Sequence, residues 1–375
     1  MSANQAHNLV AVLPQISGGG GIERICQTAV GVMGQFAREH RLEFHVFSLC
    51  DAGGAVQPDG APGPLRFTGF SGNRIHCAWS VLRLARRTRI LFLGHPYLGP
   101  LGYIARVLNP SLRYGVMAHG IEVWQRLSPV RSKALRHASL VLAPSRYTAE
   151  KIVRLQQVPQ DRVSVVPHGI PNPLPRGNDS HPANNSHPAN CQGLVLLSVA
   201  RMQSAEKYKG IDAVMRSLRP VVQQIPELTY YIVGDGDDRP RLEALARECR
   251  LEQNVIFTGR IPDSELWERY QNCDIFVLPS TGEGFGLVFV EAMSFGKPVI
   301  ASRTGATPEV VIDGVNGFLV EGQNEASLSE RILRLATDPA LRSRMGQAAR
   351  RTFEDCYSLQ KYRSRFTDFL EALAS

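Results

Sequence analysis

The chain has 375 residues, 43% of them apolar and 20% charged, an ordinary globular balance that is long enough for two domains. No stretch approaches the ~20 apolar residues of a membrane-spanning helix, and no basic run opens the chain, so its start reads as a strand and not as a signal peptide. The net charge of +8 is uneven: residues 1–175 hold 19 Lys+Arg against 8 Asp+Glu, and the remainder holds 23 against 26. The first half is therefore suited to something anionic, whether phospholipid, a lipid pyrophosphate or nucleic acid. Seven scattered cysteines, odd in number and without a CxxC, argue for a reducing compartment and against disulfides or a zinc site.

Taken in chain order, NLVAVLP (8–14) reads as a buried strand, followed by a glycine turn and an amphipathic helix beginning in ISGGGGIERI. Further strands are expected at 42–49, 89–96, 113–120 and 138–145, and DRVSVVPHGI (161–170) closes this half. Helices separate them, including NRIHCAWSVLRLARR and SRYTAEKIVRLQ; in the latter Ser145 is the expected N-cap, with Thr148 the alternative. The segment 171–192 is rich in Pro, Asn and Ser and repeats SHPAN, so it reads as a linker. Its two histidines, His181 and His187, belong to no closed ligand set. A second alternation follows, with strands at 193–202, 228–236, 254–259, 273–280 and 297–303 and helices at 209–225, 238–249 and 262–273. Strands separated by helices imply parallel sheets with right-handed crossovers. The expectation is two doubly wound, Rossmann-like α/β domains facing a cleft: 1–170, then the linker 171–192, then 193–350, with 351–375 crossing back as a helix onto the first domain.

The stretch GEGFGLVFVEA (282–292) brackets glycine and apolar residues with Glu283 and Glu291. It joins a strand to a helix, so Glu283 falls in a loop at a carboxyl strand end and Glu291 one turn into the helix. Gly284 and Gly286 let backbone N–H groups approach a ligand, and such groups at a helix N-terminus favour an anion. A carboxylate accepts hydrogen bonds from neighbouring sugar hydroxyls. The composite suits a phosphate between two polyols, the layout of a nucleotide sugar.

This run, GEGFGLVFVEAMSFGKPVIAS followed by GATPEVVIDGVNGFLV, resembles the E-x7-E signature of the retaining glycosyltransferases of family 4, the "group 1" enzymes. The resemblance extends over nearly the whole chain and is sharpest over 193–320. It implies a GT-B fold and a nucleotide-diphosphate sugar donor held by the second domain. In SVARMQSAEKYKGID, Arg201 and Lys209 match the family's grip on the donor diphosphate, with Lys207 an alternative partner. Gly19, Gly20 and Gly21 match the glycine loop that approaches the donor phosphate from the first domain, and His119 in AHGIEVW matches a histidine beside the donor sugar. Arg260 and Ile261 match the border of the base. Amides of Gly284, Phe285, Gly286 and Leu287 would face the diphosphate, Glu283 the sugar and Glu291 the ribose. His95, at a similar strand end, is assigned to the acceptor. No metal or other cofactor is expected, because fixed cations and helix amides can neutralise the leaving group; Asp235-Gly236-Asp237 reads as a structural turn. The family's PNG turn appears as Pro167-His168-Gly169, and its FSW motif as Tyr357-Ser358-Leu359.

The function expected is retaining transfer to a hydroxyl of a glycan or lipid-linked acceptor in polysaccharide or lipopolysaccharide assembly, in the cytoplasm. Trp79, Leu82, Leu84 and the run RLARRTR (83–89) suggest a peripheral contact with an anionic inner membrane face. Rivals are a nucleotide-sugar epimerase, a sugar phosphorylase and a non-catalytic nucleotide-sugar-binding module. A dinucleotide oxidoreductase would need GxGxxG and a ribose-binding acid after the second strand, and a nucleic-acid binder would need aromatic–basic interleaving; neither pattern is found.

Overall fold

The computed structural model describes residues 8–53, 66–173 and 193–375. The chain divides into two compact units, one of residues 1–168 with Gln360–Ser375 and one of Gly169–Leu359. Most of the segment read as a linker, with both SHPAN units, His181 and His187, lies outside the described residues. Among the described cysteines all are free thiols.

The first unit is built from β1 (Asn8–Leu13), α1 (Gly21–Glu39), β2 (Glu43–Ser48), β3 (Arg66–Gly69), α2 (Arg74–Ala85), β4 (Thr88–Leu93), α3 (Gly99–Leu108), β5 (Arg113–Met117), α4 (Pro129–Arg136), β6 (Leu140–Ala143), α5 (Arg146–Gln156) and β7 (Val163–Val165). Its seven strands pair in the order β3-β2-β1-β4-β5-β6-β7, and the pairings are parallel. All six residues of β1 are buried, as a strand covered on both faces requires. One face carries Cys77 and Val81 of α2, Ala105 of α3, Leu135 of α4 and Ile152 of α5. On the other, Phe92 of β4 meets Phe366 and Phe369 edge-on, and a Cβ at Gly115 would come within 2.8 Å of Leu373. Ser145 caps α5, its hydroxyl accepting from the Thr148 amide at 3.1 Å.

The second unit runs through β8 (Val195–Val199), α6 (Ile211–Gln224), β9 (Thr229–Val233), α7 (Arg239–Glu248), β10 (Val255–Gly259), α8 (Asp263–Asn272), β11 (Ile275–Leu278), α9 (Leu287–Ser294), β12 (Val299–Ser302), α10 (Thr307–Val310), β13 (Gly317–Val320), α11 (Glu325–Thr337) and α12 (Pro339–Thr352). A π-helical turn, Phe353–Tyr357, leads into α13 (Leu359–Ala374), and the change of unit falls between Leu359 and Gln360. The six strands pair in the order β10-β9-β8-β11-β12-β13. Each sheet reverses its winding once, between β1 and β4 in the first and between β8 and β11 in the second. Such switch points leave a crevice at the carboxyl ends of the strands, where ligands of this architecture bind.

Strand β3 and helix α3 were not expected from the sequence, whereas α6 falls within the helix expected at 209–225. The four-residue β3 alternates between exposed and half-buried positions and carries little apolar signal. Helix α3 opens on Gly-Pro and so reads as a loop. Helix α6 tolerates Pro220 in its interior because Val214, Met215, Leu218 and Val221 are buried on one side of it.

Candidate active site

In the second unit the segments after β8 and β11 flank the switch point. After β8, the chain passes through Arg201 and a tight 3₁₀ segment, Ser204–Lys209, and stops at Gly210 with φ 78°. A Cβ at Gly210 would meet the Pro279 carbonyl at 2.9 Å, so this turn seats directly against the end of β11. The Thr281 amide donates to the Tyr208 carbonyl at 2.9 Å, and the ring of Tyr208 covers Gly282, where a Cβ would sit 2.9 Å from it. The two segments are thus laced together. The result is a contact between Lys209 Nζ and Glu283 Oε1 at 2.6 Å, with both side chains mostly shielded from solvent. Burial alone would lower the Lys209 ammonium, but the Glu283 carboxylate outweighs it and the net shift is upward. Lys209 is therefore a fixed cation.

Gly286 caps α9 with φ 86°, and a Cβ there would collide with the ring of Phe289, so the chain can enter the helix this sharply only with glycine. One turn in, Glu291 is 4% exposed, and its Oε2 accepts from the Tyr270 hydroxyl at 2.7 Å. Tyr270 is itself stacked on Phe295, with ring centroids 6.0 Å apart, and on Phe276 at 5.8 Å. Phe285 is buried with its ring edge-on to Tyr357 at 5.6 Å.

Of the expected donor residues, Lys209 and Glu283 are brought into contact. Lys207 is exposed and Lys209, not Lys207, meets the carboxylate. Arg201 shares their segment, but its guanidinium is 71% exposed and held by Glu206. Arg260 and Ile261 follow β10, where the Gly234 amide donates to the Gly259 carbonyl at 2.9 Å. The carboxylates of Asp235-Gly236-Asp237 are used within the fold: Asp237 accepts from Ser204 N at 2.8 Å and Ser204 Oγ at 2.7 Å, and Asp235 from the Gly236 amide. Among the described residues no group of three or more His, Cys, Asp or Glu is arranged to hold a metal.

In the first unit the loop after β1 and the turns after β4 and β5 stand at the other switch point. Gly18 has φ 123°, Gly19, Gly20 and Gly21 are exposed, and Gly20 caps α1. Asp51, placed just after β2, anchors this loop from beneath. Its buried carboxylate accepts from the Ile16 amide at 2.7 Å, the Ser17 amide at 3.1 Å, the Ser48 hydroxyl at 2.6 Å and the Ser17 hydroxyl. The sequence reading passed over Asp51; its place after the second strand, shared with ribose-binding acids of dinucleotide enzymes, was the signal available. Here its lone pairs are taken by the loop.

His119 follows β5. Its amide donates to Glu122 Oε1 at 2.6 Å and its Nε2 donates to the Gly94 carbonyl at 2.8 Å, which leaves Nδ1 a buried acceptor without a protein partner. His119 stacks with His95 at 5.6 Å and with His168 at 6.3 Å between ring centroids. Burial pushes the His95 imidazole down to about 4 and that of His168 to about 3. The structure thus gathers His119 and His95 into one stack and adds His168, which the sequence marked only as an altered turn.

Two doubly wound parallel sheets, each with a polar loop set at its switch point, make the two-domain α/β architecture of the GT-B type. Comparison with known proteins narrows the class. Residues 20–172 match the model "Glycosyltransferase Family 4" and residues 183–352 the model "Glycosyl transferases group 1". The chain belongs to this family of transferase enzymes. It is 28% identical over 293 residues, 73% of each chain, to a GDP-mannose-dependent alpha-(1-6)-phosphatidylinositol monomannoside mannosyltransferase of Mycolicibacterium smegmatis. It is 31% identical over 271 residues to a D-inositol 3-phosphate glycosyltransferase of Acidothermus cellulolyticus, spanning 68% of this chain and 57% of that protein. The solved structure of HepE from Anabaena in complex with UDP superposes with a TM-score of 0.75 at 21% identity, over 97% of this chain and 99% of that one, a likeness of fold.

Proposed function

We propose that the protein is a retaining glycosyltransferase that takes a sugar from a nucleotide-diphosphate donor and delivers it to a hydroxyl of a lipid-linked or polysaccharide intermediate in cell-surface glycan assembly, lipopolysaccharide included, on the cytoplasmic side. The observation that carries this reading is the 2.6 Å contact of Lys209 and Glu283 beside the second switch point. It sets a fixed cation and a hydroxyl acceptor side by side, as a diphosphate joined to a sugar requires. The relatives support it by name, one as GDP-mannose-dependent and one solved with UDP.

In this reading the acceptor oxygen bonds to the anomeric carbon while the bond from that carbon to the diphosphate breaks. The electron pair leaves with the nucleoside diphosphate, whose oxygen takes the acceptor's proton. Lys209 and the amides of Gly284–Leu287 receive the growing negative charge. Arg201, whose side chain is 71% exposed, joins them by turning away from Glu206. Glu283 orients the sugar hydroxyls, Tyr270 fixes Glu291 for the ribose, and Arg260 and Ile261 border the base. The amides of Gly19, Gly20 and Gly21 attend the donor phosphate, His119 Nδ1 accepts from a sugar hydroxyl and His95 from the acceptor. With this much fixed positive charge the reaction needs no bound metal, so EDTA should leave turnover unchanged.

A thermal-shift panel of nucleotide sugars tests the reading, followed by product analysis with the stabilising donor. One nucleotide sugar should raise the midpoint of the wild type and not of Glu291→Ala, and the new linkage should keep the donor's anomeric configuration. Conversion of the donor without any acceptor would make the protein an epimerase; a strict requirement for inorganic phosphate would make it a phosphorylase. Stabilisation without turnover would leave a binding module.

A further inference from the structure

The outer surface of the first unit combines two features that a protein surface seldom shows together. From Arg66 to Ala149 the chain has 13 Lys+Arg and one acid, Glu122. Glu122 is committed to the amides of His119 and Gly120. Over the same stretch α2, α3 and α4 pack side by side and expose large apolar side chains. Ile75 is 84% exposed and Trp79 58% on α2, Val107 65% on α3 and Val130 65% on α4, with Ile104 and Leu108 also open. Large apolar side chains exposed on neighbouring helices mark a candidate interaction surface.

The face differs from the one expected from the sequence. Leu82 and Leu84 turn inward and pack on the core, so α2 does not present a leucine stripe. Its exposed side carries Ile75 and Trp79, with Arg83 stacked over the Trp79 ring at 5.3 Å and Arg86 and Arg87 following at the helix end. None of Arg74, Arg83, Arg86 and Arg87 has an ion-pair partner among the described residues. Protein cations left unpaired beside open apolar side chains complement a surface that is anionic at its boundary and apolar just below. A tryptophan, with an apolar body and a polar N–H, suits that boundary.

We propose that the α2–α3–α4 face docks the protein peripherally on an anionic lipid bilayer, with Ile75 and Trp79 entering the headgroup layer and Arg83, Arg86 and Arg87 meeting lipid phosphates. The docking does not depend on the transfer reaction, and it is read without any donor or acceptor. Sedimentation of the full chain with vesicles of pure phosphatidylcholine, and with vesicles containing phosphatidylglycerol, tests it. Binding should be confined to the anionic vesicles and should fall as salt is raised. Arg86→Ala/Arg87→Ala should weaken it by about 5-fold per arginine. Ile75→Ser/Trp79→Ser should weaken it as well, at an unchanged thermal midpoint because both side chains are exposed. Turnover on a soluble acceptor should be unaffected in either variant. Failure to bind either vesicle, equal binding to both, or full retention in both double variants would overturn the proposal. So would release from the vesicles by an equal charge of duplex DNA with tight binding of that DNA, which would name nucleic acid as the partner.

Discussion

The two switch-point loops solve similar geometric problems with opposite materials. The loop after β1 presents backbone: three exposed glycines, with its side-chain chemistry placed underneath, in Asp51. The loop after β11 presents side chains: Glu283 is met by Lys209 from the neighbouring segment, and glycines at 282 and 286 serve mainly to let rings and a helix close in. A backbone site depends on a remote anchor. A side-chain site depends on the identity of the residues in view. The first kind is hard to recognise from a motif and the second is easy.

The sharpest way to break the second loop is Lys209→Ala, which should lower kcat/KM by about 10²–10³ and leave Glu283 without its cation. If the role is electrostatic, Lys209→Ala/Glu283→Gln should recover thermal stability without recovering turnover. Turnover in the single variant within a factor of two of wild type would remove Lys209 from the chemistry.

Acid should separate the two units. His168 is held neutral in the fold by burial, near 3 against an ordinary 6.5. Stability from this residue is complete above pH 6.5 and is lost as pH falls from there toward the folded value, because the unfolded chain takes up the proton first. The loss should reach ~3 kcal/mol by pH 4. Hydrogen exchange should show the strands of the first unit opening before those of the second, and His168→Gln should flatten the dependence. Simultaneous opening would show that the histidine stack does not set the acid limit.

Asp51→Asn strikes the anchor of the first loop. Two amides and two hydroxyls would share a neutral acceptor, at a cost of about 2 kcal/mol in stability. If the loop positions donor phosphate, the donor KM should rise more than kcat falls, a split that a purely structural lesion would not give. The smallest effect belongs to Tyr270→Phe, which removes the Tyr270 hydroxyl from Glu291 Oε2 and should weaken donor binding by about 1 kcal/mol in a calorimetric titration.

The pattern of apolar runs and glycine turns foretold two parallel sheets, because strands buried on both faces carry an almost unbroken apolar signature. It did not show β3, whose exposed positions dilute that signature, or α3, whose Gly-Pro start mimics a turn. Glu283, Glu291 and Lys209 were legible through their spacing and the resemblance. The structure alone shows that Arg201 pairs with Glu206, that Tyr270 holds Glu291 and that Asp51 supports the glycines, since each is a contact between segments far apart in sequence or a choice among equivalent partners. Leu82 and Leu84 teach the same lesson on a helix. Trp79 on the same helix faces out while Leu82 and Leu84 face in, and only packing says which.

The final helix has a consequence for synthesis. Phe366, Phe369 and Leu373 cover part of one face of the first sheet, yet they are translated roughly 200 residues after that sheet's last strand. At ribosomal rates of about 5–20 residues per second, the nascent sheet waits on the order of 10–40 s before these side chains reach it. A chain stopped short of Gln360 never receives this cover, and so termination there should send the protein into aggregates or to chaperones even though every loop residue discussed above has already been made.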